Sequence, residues 1–195
     1  MRVLVVYTHP SPSSYAASVL TRVLAGLDAA GHDVDVLDLY AIGFDPMLSA
    51  EERFRSGDNS LAAPLVREHI ALVRAATVVV FVHPTWWSGP PAMLKGWIDR
   101  VFVADVAYAV SRSGRMRSRL RHIRHLIVVT SHGSTKHVNV IEGESGKLLF
   151  GRSIRRLISL RGRFRWIALY NIDRSTPAQR QAHLARVEAT MTKIR

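Results

Sequence analysis

The chain has 195 residues, 48% apolar and 22% charged, which is the size and composition of one ordinary domain with a buried core. It contains no cysteine, which excludes disulfides, thiolate catalysis and cysteine-ligated metals, and no apolar run approaches the roughly 18 residues of a membrane span. The formal net charge is +12, and such a surface attracts phosphorylated cofactors, nucleic acid or anionic membrane.

Residues 1–6, Met1-Arg2-Val3-Leu4-Val5-Val6, are too short an apolar run for a signal peptide, so residues 3–7 read as a buried strand and a cytoplasmic protein is expected. The loop that follows, Thr8-His9-Pro10-Ser11-Pro12-Ser13-Ser14-Tyr15, leads into a helix over residues 14–30 that stops at Gly31. A helix start rich in hydroxyls favours an anion, with Ser13, Ser14 and His9 as further donors. Simple capping of the helix by Ser13 or Ser14 explains the same residues equally well. Neither a glycine-rich dinucleotide fingerprint nor a Walker loop is present.

Residues 33–39 alternate as a half-buried edge strand, and 41–60 read as an irregular polar segment wrapping the surface. A helix over 61–76 and a buried strand over 77–82 precede the most informative stretch, His83-Pro84-Thr85-Trp86-Trp87-Ser88-Gly89-Pro90-Pro91. Two adjacent tryptophans in a proline-stiffened loop suit a flat heterocycle; core or dimer-interface aromatics are the competing reading. A helix over 91–102 follows, then a long connection over 103–125 that is expected to be mobile or to form an interface. A buried strand at 126–130 leads to the turn Thr130-Ser131-His132-Gly133-Ser134. A helix over 147–160, a strand over 166–170 and a helix over 177–194 complete the chain. Arginines gather in 112–124 and 152–165, where a solvated face accounts for them as well as a docking surface does.

Strand and helix thus alternate throughout, which predicts an α/β domain over residues 1–195 with a parallel sheet covered on both faces. Ligands of such sheets bind beyond the carboxyl ends of the strands where the strand order reverses, so the loops after Tyr7, Val82 and Val129 are the candidate site.

Pro84-Thr85-Trp86-Trp87-Ser88-Gly89, followed by Pro91-Ala92-Met93-Leu94-Lys95-Gly96-Trp97-Ile98-Asp99-Arg100-Val101-Phe102, resembles the NAD(P)H:quinone oxidoreductase family. That family includes the flavin subunits of bacterial potassium-efflux systems. The first loop is similar to its His-x-x-x-x-Ser-aromatic pattern at His9, Ser14 and Tyr15. The resemblance implies a flavodoxin-like, doubly wound five-stranded sheet of order 2-1-3-4-5 and a noncovalent flavin, FAD with FMN as the alternative. It implies phosphate contacts from His9, Ser13, Ser14 and Tyr15, a ring lying against Pro84, Thr85, Trp86 and Trp87, and a third loop contributing Thr130, Ser131 and Gly133. NADPH or NADH would be the electron donor, a quinone-like or other small molecule the acceptor, and a homodimer the assembly; no metal is expected.

The chain also departs from the family. His132 replaces a small residue, Ile70 a glutamine and Thr77 an aspartate. The family's Tyr and His after the glycines are absent; Lys136, His137, Val138 and Asn139 stand there, leaving His137 as a catalytic candidate or an exposed surface histidine. Two other readings accommodate the sequence: a flavin-binding regulatory module docked to a membrane transporter through 112–124, or a flavin-free binder of polyanions, with nucleic acid the less expected partner.

Overall fold

Val3, Val5 and Tyr7 fall on one face of a strand and Leu4 and Val6 on the other, and both rows are buried. A strand buried on both faces requires a layer of helices on each. The computed structural model, which describes residues 1–54 and 62–195, supplies both layers. In chain order, β1 (Arg2–Tyr7), α1 (Tyr15–Ala29) and β2 (Asp33–Asp38) come first. They are followed by α2 (Ala50–Phe54), α3 (Pro64–Ala75), β3 (Val78–Pro84), α4 (Ala92–Val101) and a small pair, β4 (Tyr108–Val110) with β5 (Met116–Ser118). Then come β6 (His125–Ser131), α5 (Lys136–Ile141), α6 (Ser145–Leu148), β7 (Arg163–Leu169) and α7 (Pro177–Met191).

Five strands form one parallel sheet in the order β2-β1-β3-β6-β7, the expected 2-1-3-4-5 arrangement with the β4-β5 hairpin inserted before the fourth strand. One cover consists of α1 and α7, whose Val19, Val23, Leu27, Val187 and Met191 bury the face carrying Val80, Val82 and Val129. The other is built from α3 and α4, with Val66, Ile70, Leu94 and Trp97 against Leu4, Phe81 and Val128. Ile70 is a core residue.

Three connections differ from expectation. In 41–60, residues 41–54 are anchored: Phe44 is buried, and Arg100 of α4 holds Glu52 of α2 through two hydrogen bonds of 2.6 and 3.0 Å. The Arg100 guanidinium also lies over the Phe44 ring, and a Cβ at Gly96 would sit only 2.2 Å from the Pro46 carbonyl, so this strap packs tightly on α4. The remainder of that segment, and residue 61 at the expected start of the next helix, lie outside the described residues.

The connection over 103–125 contains the antiparallel β4-β5 pair and is tied down by buried Leu120 and Ile123. Its strands of three residues are too short to show an alternating pattern. The helix expected over 147–160 is broken into α6, a wide π turn at Leu149–Ile154 and a 3-10 turn at Arg155–Leu157. Buried Phe150, Ile154 and Ile158 recur every four residues, a spacing that drifts about 40° per repeat around an α-helix, and the wide turn offsets that drift.

The core also holds histidines. His69 accepts a hydrogen bond from Trp97 Nε1 at 3.2 Å, His83 lies 2.8 Å from the Pro84 carbonyl, and His183 Nδ1 lies 2.8 Å from the Tyr15 hydroxyl. Burial pushes all three from 6.5 down to about 4, so the fold holds them neutral where an unfolded chain would protonate them. Depressed histidine values stabilise the fold above pH 6.5 and lose that contribution as pH falls toward 4. Urea unfolding midpoints should therefore fall steadily across that interval, and a flat profile would show that these imidazoles stay hydrated in the native state.

Candidate active site at the carboxyl edge of the sheet

The strand ladder continues past the strand ends and fixes the loops against one another. Thr8 N–H donates to the Val82 carbonyl at 3.0 Å, Thr85 N–H to Ser131 at 2.8 Å, and His132 N–H to Leu169 at 2.8 Å. The three expected loops are thereby joined at one edge.

In the first loop, Ser14 is the N-cap of α1: its hydroxyl oxygen accepts from Ala17 N–H at 3.2 Å. Capping engages Ala17 N–H, and the N–H groups of Tyr15 and Ala16 remain without intrahelical acceptors. No acidic residue occupies that turn, so the positive end of the helix is uncompensated. His9 Nδ1 lies 3.0 Å from Ser11 N–H and 3.1 Å from the Ser11 carbonyl, which ties the ring to its own loop. Ser13 is exposed and pairs with Ser11. The Tyr15 hydroxyl turns away toward His183 on α7, where burial raises its pKa to about 12.

The second loop is a tight turn in which Trp86 and Gly89 exchange backbone hydrogen bonds of 3.0 Å. Its corners, Trp87 and Ser88, have φ of 49° and 59°, the left-handed region that a bulky side chain normally avoids. Trp87 is fully exposed at 102% and Trp86 at 41%, so neither is a core aromatic. The turn is clamped from below: Ser145 Oγ and Gly146 N–H both donate to the Ser88 carbonyl, and Ser88 Oγ donates to Glu142. His9 lies beside Trp86, with ring centroids 6.1 Å apart, which links the first two loops.

The third loop is organised around His132, 3% exposed. The Asn139 amide donates to the Ser134 and Thr135 carbonyls, so its oxygen faces His132 Nδ1 at 2.6 Å and accepts that proton. The imidazole Nε2 is then an acceptor, 3.4 Å from Thr85 Oγ1, which is itself 2.9 Å from Thr130 Oγ1. The Tyr170 ring stacks on the imidazole at 4.6 Å and donates to Glu144, which Lys147 also holds. Burial lowers the His132 pKa, so the ring is neutral at pH 7. Burial opposes ionisation of Glu144, but the hydrogen bonds from Lys147 and Tyr170 outweigh it and hold the carboxyl below its usual range. A Cβ at Gly133 would come within 2.8 Å of the Asp173 carboxylate, the tip of an exposed side chain free to swing aside.

A cleft of about 490 Å³ opens between the second and third loops, within the usual size range of ligand sites. Thr85, Trp86, Trp87 and Gly133 line it; Pro84, Thr130 and Ser131 lie paired at the strand ends of β3 and β6. His9, Ser13 and Ser14 sit on the adjoining first loop. His137 is exposed on α5 and does not line the cleft. The lining residues to which sequence reasoning assigns no binding role are Ser88, His132, Ser134, Asn139 and Glu142. For Asn139 and Glu142 the local signal is weak, since a helix of six residues capped by Thr135 shows too little periodicity.

A family model described as flavodoxin-like fold matches residues 1–191, and the chain belongs to that family. An NAD(P)H oxidoreductase of Haemophilus influenzae is 33% identical over 109 residues, 55% of this chain and 54% of the relative. The chain spans 54% to 65% of the length of such curated relatives, among them ribosyldihydronicotinamide dehydrogenases [quinone]. Among solved structures, Smu.1420 of Streptococcus mutans UA159 is 31% identical with a TM-score of 0.86, covering 100% of both chains. An NAD(P)H:quinone oxidoreductase from Methanothermobacter marburgensis is 27% identical with a TM-score of 0.84, covering 98% of this chain and 96% of its own. The family resemblance carried by the second loop is borne out.

Removing the Asn139 acceptor strands a buried N–H on His132. Asn139→Ala should cost about 1–3 kcal/mol in urea unfolding. An unchanged midpoint would mean that this pair does not hold the third loop.

Proposed function

We propose that this chain is a flavin-dependent NAD(P)H oxidoreductase, passing two electrons from a nicotinamide cofactor to a quinone-like or other small acceptor. The observation that carries the reading is Trp87: a fully exposed indole on a left-handed backbone corner, at the edge of a cleft. Exposure leaves about 4 kcal/mol of burial unused, and the backbone conformation adds about 1–3 kcal/mol of strain. A flat ligand seated against the turn recovers the first cost and gives a reason for the second. The names borne by the relatives, NAD(P)H oxidoreductase and quinone reductase, support the same chemistry.

The residues present fit a flavin. The α1 N-terminus, His9, Ser13 and Ser14 would hold its phosphate, and Pro84, Thr85, Trp86 and Trp87 would flank the ring. Thr8 Oγ1, buried at the end of β1 with no partner, is a further polar atom at this edge. A bound flavin accepts a hydride from a nicotinamide and passes two electrons on. The protein's part is to bind, orient and exclude water. Thr130, Ser131 and Gly133 present hydroxyls and backbone polar groups where negative charge would grow. His132, kept neutral by burial and oriented by Asn139, fixes the Thr85 hydroxyl from behind. We assign this positioning role to His132; His137 stands outside the cleft.

The active unit is a homodimer on this reading. Val140, Ile141 and Leu148 are 55%, 73% and 41% exposed near the mouth of the cleft, an apolar rim that a second copy would cover.

Purified protein should show twin flavin absorbance bands that bleach on anaerobic addition of NADPH or NADH, should elute at twice the chain mass, and on denaturation should release FAD or FMN. Protein that is colourless and takes up neither FAD nor FMN would defeat the proposal.

A further inference from the structure

Away from this site, the two arginine-rich stretches of the sequence come together. Leu120 bridges to Ile158, Arg121 donates to the Ile158 carbonyl at 2.8 Å, and Ser159 N–H donates to Ile123. The result is a cleft of about 780 Å³ lined by Arg121, Arg152, Arg155, Arg156, Ser153 and Ser159, with no carboxylate in its walls. All four arginines are exposed, and among the described residues none is part of an ion pair. Four guanidiniums with no carboxylate among them give the cleft a positive potential that favours an anion. Two serine hydroxyls beside them complete a donor set suited to phosphate oxygens.

The cleft has no aromatic lining, so it offers no platform on which nucleobases could stack. Its rim instead carries an apolar projection. Ser159 and Gly162 close a turn through a 2.8 Å hydrogen bond, with Leu160 and Arg161 exposed at its two corners, Leu160 at 85%. A leucine thrust into water beside a cationic cleft gains nothing from a phosphodiester backbone. At a bilayer surface the leucine enters the headgroup boundary while the arginines meet the phosphates.

We propose that this cleft is a docking site for anionic phospholipid headgroups, by which the folded protein adheres reversibly to a membrane surface. The site spans the π turn, the 3-10 turn at Arg155–Leu157, the Ser159–Gly162 turn and Arg121, none of whose residues lines the cleft proposed for the flavin, so it stands whether or not the flavin reading does. No helix among the described residues is long and apolar enough to cross a membrane.

The test is cosedimentation of the intact protein with vesicles of equimolar phosphatidylcholine and phosphatidylglycerol, against pure phosphatidylcholine. The protein should pellet with the mixed vesicles and not with the neutral ones. The combined substitution Arg152→Gln, Arg155→Gln and Arg156→Gln should weaken binding about 100-fold, from about 1 kcal/mol for each cation near the surface. Leu160→Ser should weaken vesicle binding several-fold and leave binding of tripolyphosphate unchanged. Circular dichroism of each variant should match the parent, because all four side chains are exposed.

Equal pelleting of the triple variant, or none by the parent, overturns the proposal. If Leu160→Ser is silent on vesicles, the leucine does not enter the headgroup boundary, and docking as proposed is overturned. Tighter binding of duplex DNA than of vesicles, lost in the same triple variant, would reassign the cleft to nucleic acid.

Discussion

The parallel register of β1, β3 and β6 sets Tyr7 beside Val82 and Pro84 beside Ser131, and everything at the candidate site follows from that alignment. Because the three strands run the same way, their following loops emerge together at one edge. Backbone hydrogen bonds beyond the last strand residues, from Thr8 and Thr85, hold those loops at fixed separation. A cleft made this way is rigid before any ligand arrives, and a preformed site avoids the cost of ordering loops on binding.

Within that frame the molecule uses imidazoles in three distinct ways. His69, His83 and His183 are neutral core groups whose burial sets a lower limit to the pH at which the fold is stable. His9 is partly exposed and tied through Nδ1 to its own loop. In His132, Nδ1–H donates to the Asn139 amide oxygen, and the acceptor side points at the cleft through Thr85. The stacked Tyr170, the Glu144 carboxylate and Lys147 brace the imidazole from behind.

The fold was legible because its strands are buried on both faces and their apolar runs need no tertiary information to be seen. The first two loops were legible for a related reason: Ser14 lies at a strand-to-helix junction, and Trp86 and Trp87 sit where no core demands them. The break at Leu149–Ile154 was not, because Phe150, Ile154 and Ile158 satisfy a helical pattern until their exact spacing is weighed against the sheet beneath. The role of His132 was hidden more deeply. It depends on Asn139, seven residues away on a helix of only six, and on Tyr170 from the end of the next strand. The meeting of the arginine stretches is likewise a product of packing, through the Leu120–Ile158 bridge and the Ser159–Ile123 hydrogen bond.

The central claim is that a flavin seats against the Trp86–Gly89 turn. Titration of cofactor-free protein with FMN or FAD, followed by tryptophan emission, tests it most directly. The chain has four tryptophans, of which Trp97 is fully buried and Trp87 fully exposed. Quenching should saturate at one flavin per chain. A variant with both Trp86→Phe and Trp87→Phe should lose most of that response. Flavin binding that leaves the emission of Trp86 and Trp87 unchanged would contradict the account.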